Sequence, residues 1–105
     1  MKLLQNSIDC TGFLGGTIFI TSFFDETPSI VEIEVYNPSR VLVGSGVFTK
    51  LSAHTFAYEF ETDRDGIEGT YYLVIKATTA SGKRFLSQYD VELEEPAPDN
   101  FSLEV

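Results

Sequence analysis

Hydrophobic and polar residues alternate with period two along most of this chain, and that pattern predicts strands. Val31, Ile33 and Val35 point one way while Glu32, Glu34 and Tyr36 point the other. Phe56, Tyr58 and Phe60 alternate with Ala57, Glu59 and Glu61. Tyr71, Leu73, Ile75 and Ala77 form one face of a strand over 70–79, and Phe85, Ser87, Tyr89, Val91 and Leu93 one face of the next. Thr17 to Phe24 is apolar at nearly every position, so either both its faces are covered or its alternation is blurred. The first 15 residues form a lead segment, with a short edge strand expected near Ile8 and Phe13.

Turn residues separate these runs. Asp25 to Ser29, Asn37 to Arg40, Asp63 to Gly66 and the Ser81-Gly82 pair are the connections. Val41 to Val43 returns as a hairpin partner, and Gly44-Ser45-Gly46 is expected to break that strand, as a bulge or crossover does. Val47 to Leu51 then bridges to an opposite sheet. After Glu95 the alternation ends, and Pro96-Ala97-Pro98 favours extended backbone. The organisation is a lead segment over 1–15, a sandwich over 16–93 and an acidic arm over 94–105. About seven short strands with a turn every 8–12 residues describe a single antiparallel β-sandwich. An up-and-down barrel is the weaker alternative.

Length and charge narrow the function classes. The 105 residues make one domain of common size, and 43% hydrophobic residues suffice for one core. The formal net charge of −9 repels phosphate backbones and anionic lipid, so neither nucleic acid nor a membrane surface is an expected partner. Residues 90–105 carry six acids and no base. The N-terminal residues lack the apolar run of a signal peptide, and no stretch reaches the length of a membrane span.

Candidate chemistry is sparse. Cys10 is the only cysteine, which excludes an intrachain disulfide, and His54 is the only histidine. Asp63, Asp65 and Glu68 cluster as calcium ligands do, but Arg64 sits among them and the cluster reads as a solvated turn. The pairs Glu32/Glu34 and Glu59/Glu61 are spaced i, i+2 on strand faces, where no cleft forms for acid–base hydrolysis. Ser45 lies between two glycines without the strand-to-helix setting of a nucleophile elbow. No phosphate loop or dinucleotide fingerprint is present, so no cofactor or metal is expected.

The aromatics hold more interest. Tyr36 and Tyr72 fall on outward positions, and Phe23 or Phe24 must also face away from the core. Tyrosines on a sandwich face serve as interface anchors. Phe101, Leu103 and Val105 alternate in the acidic arm, so the arm has the pattern of a strand added to a neighbour's sheet edge.

The run from Gly16 to Leu93 resembles the immunoglobulin-like and fibronectin type III superfolds, above all their bacterial and tailed-phage versions. The residues that carry the resemblance are the segment from Val31 to Pro38, the alternating Phe56-Tyr58-Phe60, the strand opened by Gly69 and Tyr71, and the final strand after Gly82. The resemblance implies that Tyr71 occupies the tyrosine-corner position, with its hydroxyl bonded to nearby backbone. It further implies a non-catalytic role. A small acidic sandwich with arms at both ends is similar to the accessory virion proteins of tailed bacteriophages, such as capsid decoration or cement proteins and neck, tail or baseplate modules. The expected partners are then other protein subunits in a multi-copy assembly, and the expected location is the virion, assembled in a host cytoplasm. The alternative is a carbohydrate- or host-surface-binding module, with Tyr36 and Tyr72 as a stacking platform.

Overall fold

The computed structural model describes residues 3–96. Eight strands form two four-stranded antiparallel sheets. They are β1 (Leu3–Asp9), β2 (Thr17–Phe24), β3 (Ile30–Tyr36), β4 (Leu42–Val47), β5 (Thr49–Lys50), β6 (Thr55–Glu61), β7 (Gly69–Thr78) and β8 (Arg84–Leu93). The first sheet has the order β1-β2-β6-β5 and the second β4-β3-β7-β8. This is the immunoglobulin-type division of strands, with one extra edge strand beside β3. Among the described residues no helix is long and apolar enough to cross a membrane.

Alternation builds the core. Val31, Ile33 and Val35 of β3 lie beside Ala77, Ile75 and Leu73 of β7, and all join Ile18, Ile20 and Phe24 of β2, from the other sheet, in one buried cluster. Phe24 meets Phe56 edge-on, with ring centroids 6.0 Å apart. The Tyr71 hydroxyl donates to the Ile67 carbonyl at 2.7 Å, just ahead of β7. Leu73, two residues on, stands where antibody-type domains place the second cysteine of their disulfide.

In β2 the pleat overrides hydrophobicity. Ile18, Ile20, Ser22 and Phe24 are buried, while Phe19 and Phe23 face solvent. Ser22 tolerates burial because its hydroxyl donates to Asn6 Oδ1 on β1. The lead segment thus supplies a seven-residue edge strand, paired with β2 from Leu3 to Asp9. Cys10, Ile8 and Leu3 pack half-buried against the core.

The two sheets are joined at both sides. On one side the Leu14 N–H donates to the Glu94 carbonyl at 2.9 Å and the Glu94 N–H to Gly12 at 2.8 Å. On the other, β4 leaves the second sheet at Val47 and becomes β5 of the first. Phe48 is the buried hinge of that switch, and its N–H donates to the Val31 carbonyl at 2.8 Å.

Contrary to the expectation from sequence, Gly44-Ser45-Gly46 does not break the strand, because β4 runs through it in register with β3. The only irregularity is at Val43, left unpaired between the Val35–Gly44 and Tyr36–Leu42 pairs. The glycines are there for space. A Cβ at Gly44 would lie 2.9 Å from Cζ of Phe60, and one at Gly46 2.6 Å from the Tyr58 ring. Both rings come from the opposite sheet. Gly69 (φ +135°) and Gly82 (φ +88°) do need glycine's backbone freedom. The first has Pro38 packed against it, and the second closes the Thr79–Lys83 turn.

Candidate functional site

The outer face of the second sheet carries the two tyrosines. Tyr36 and Tyr72 are direct cross-strand neighbours between β3 and β7, flanked by Leu42 on β4 and Asp90 on β8. Both rings are half-buried. The Arg40 guanidinium lies over the Tyr72 ring, 4.4 Å from its centroid, so one face of that ring is already occupied. The Tyr36 hydroxyl donates to Glu34 Oε1 at 2.9 Å, and Lys76 Nζ lies 3.1 Å from the same oxygen. With Val74 and Gln88 the tyrosines and Arg40 line a shallow depression of about 180 Å³.

This hydrogen-bonded triplet shapes its own titration. The bond from Lys76, then that from Tyr36, holds the Glu34 carboxyl below the usual carboxylate range. The same bond to Glu34, with partial desolvation, raises the Tyr36 hydroxyl above its ordinary value. Because the folded carboxyl is the stronger acid, its contribution to stability is present above the unfolded carboxylate pKa. That contribution is lost as pH falls through the lowered folded value. Removing the ammonium by Lys76→Met should move the Glu34 midpoint upward in an NMR titration of the side-chain carboxyl.

The remaining sequence candidates are placed apart. The Nδ1–H of His54 donates to the Phe24 carbonyl at 3.0 Å, at the end of β2. Ser45 faces outward beside Glu34 in the other sheet. Asp63 Oδ1 accepts from the Asp65 N–H at 2.9 Å, an ordinary side-chain-capped turn. Among the described residues no group of three or more His, Cys, Asp or Glu converges as a metal site would require. Phe101, Leu103 and Val105 lie outside the described residues.

A different surface emerges along the β4–β5 side. Val41, Leu42, Val43, Val47 and Leu51 are all exposed, Val47 at 56% and Leu51 at 61%. Two depressions flank them. Val47, Leu51, Ala57, Tyr58 and Glu59 line one of about 420 Å³. Val43, Phe60, Glu61, Asp63 and Ile67 line much of another, about 400 Å³. Sequence reasoning missed this ridge, since Val41 to Val43 reads as an ordinary hairpin partner. Its one signal was the paired glycines, which leave the inward side of β4 to rings from β6 and its valines outward. A second exposed apolar feature, Phe19 and Phe23, sits on the outer face of β2, with Glu59 opposite Phe19 and Thr55 opposite Phe23 on β6.

No protein-family model matches the chain, and no curated protein matches it. Solved structures do. CopC from Methylosinus trichosporium OB3b superposes with a TM-score of 0.61 at 12% identity, over 88% of this chain and 91% of that one. An engineered protein superposes with a TM-score of 0.58 at 16% identity, over 86% of this chain but only 20% of its own length. At such identities the likeness concerns the fold alone: the chain is an all-β sandwich of a kind other proteins share.

Proposed function

We propose that this chain is a non-catalytic structural subunit of a larger protein assembly, of the kind represented by the accessory virion proteins of tailed bacteriophages. The observation that carries this reading is the row of exposed aliphatic residues from Val41 through β4 to Leu51, just after β5. Exposed apolar side chains gathered on one side of a small domain favour an interaction site there, and these adjoin two depressions, one lined by Val43 and the other by Val47 and Leu51. The sandwich is then a rigid block, and the work it does is affinity. The acidic arm, with Phe101, Leu103 and Val105 alternating, supplies a further contact to a neighbouring subunit in this reading.

The test is co-sedimentation from the cells that produce the chain. The wild-type chain should travel with a large particle. The double variant Val47→Asp with Leu51→Asp should remain at the top of the gradient, with an unchanged melting temperature because both sites are exposed. A wild-type chain that sediments as a free monomer would sink the proposal. A carbohydrate- or host-surface-binding module is the second reading, favoured by the side-by-side Tyr36 and Tyr72. Arg40 over Tyr72 works against it, since a sugar would have to displace the guanidinium.

A further inference from the structure

The first sheet is short of a strand along β6. β5 covers only Phe56 and Ala57, by pairing with Lys50 and Thr49. Before Thr49 the chain belongs to the other sheet, as Phe48 and β4. Residues 58–61 therefore pair with β2 on one side and have no strand partner on the other among the described residues. The wedge left between β4 and this edge is floored by the Tyr58 and Phe60 rings, seated over Gly46 and Gly44. Both depressions described above open along it.

Charge selects what fits there. Glu59 and Glu61 stand on the outer face of the edge, and Asp63 follows in the adjoining loop. No lysine or arginine lines either depression. Lys50 lies beyond, on β5. A strand added beside 58–61 places alternate side chains opposite Tyr58 and Phe60 and the others opposite Glu59 and Glu61. The chain's own terminal segment is a poor occupant: with Phe101, Leu103 and Val105 turned inward, Glu104 falls on the face of Glu59 and Glu61. Like charges opposed across a pair of strands destabilise it.

We propose that the free edge of β6 accepts an extended segment of a partner protein in which apolar residues alternate with lysine or arginine. The apolar side chains enter the wedge against Tyr58 and Phe60. The basic ones pair with Glu59 and Glu61. This rests on the assembly reading and gives its contact a site, a strand geometry and a partner chemistry.

The experiment uses the isotope-labelled full chain and synthetic hexapeptides. The probe acetyl-Lys-Val-Lys-Phe-Lys-Val-amide should give saturable amide shifts and slowed amide exchange centred on 58–61. Its affinity should fall at least tenfold in Glu59→Lys with Glu61→Lys, two exposed positions whose substitution should leave the thermal unfolding midpoint unchanged. The sequence of the chain's own end, acetyl-Asn-Phe-Ser-Leu-Glu-Val, should show no saturable effect. The inference is overturned if the basic peptide does not saturate, or if both peptides bind alike. It is equally overturned if Asp90→Lys with Glu92→Lys on the β8 edge weakens binding as much, which would mean only charge attraction. Particle association that survives Glu59→Lys with Glu61→Lys would remove this contact while leaving the assembly reading standing.

Discussion

Leu73→Ala is expected to remove about 2–5 kcal/mol of folding free energy, the range for emptying a buried leucine site. Leu73 has no solvent exposure. It pairs with Val35 and Tyr89 across the middle of the second sheet and belongs to the common core. A domain of this size has roughly 5–15 kcal/mol in total, so the variant should approach the edge of stability at 37 °C. The loss is large because the emptied site lies in the middle of the shared core and cannot fully collapse. Cys10 is free, so no disulfide among the described residues reinforces that core. Urea unfolding measures the effect, with Leu86→Ala as control. Leu86 lies on the outer face of β8 at 61% exposure, and its truncation should stay within about 0.5 kcal/mol. A Leu73→Ala loss below about 1 kcal/mol would mean that the core is not packed as described.

Gly44→Val should follow closely, at about 1–3 kcal/mol or more, the usual cost of overfilling a packed space. A Cβ there meets Cε1, Cζ and Cδ1 of Phe60 together, so no small rotation clears the ring. The whole ring must leave its place between the sheets. Gly46→Val should cost a similar amount, because its Cβ meets the hydroxyl and the ring atoms Cε1 and Cζ of Tyr58, a ring that also packs against Phe48 with centroids 5.5 Å apart. The decisive form is a double-mutant cycle. If the glycine exists to seat the ring, most of the Gly44→Val penalty should vanish in a Phe60→Ala background. A penalty that persists undiminished would point to backbone conformation instead.

These two sites also mark what the sequence made legible. β3, β7 and β8 could be read because each alternates cleanly between a core face and a solvent face, and the face containing Leu73 was among them. Tyr36 and Tyr72 were placed outward by the same argument. Their direct adjacency was not, since it depends on the β3–β7 register across 36 residues of chain. Gly44 and Gly46 read as strand breakers because their cause is distant. The rings they accommodate lie on another strand of the other sheet. In β2, Phe19 against Ser22 could not be sorted from hydrophobicity, because the partner that satisfies Ser22 is Asn6 on β1. The ridge was hidden for the same reason. Whether Val43 and Val47 face core or solvent follows from which side of β4 the opposite sheet claims.

We propose that the chain works by being held, through the β4–β5 side, to another protein. Site-specific photo-crosslinking in the producing cell tests it most directly, with a benzophenone amino acid at position 47 and, separately, at position 81 in the far turn. One discrete crosslinked partner is expected from position 47 and none from position 81. Equal, diffuse crosslinking from both positions, or none from either, would contradict it.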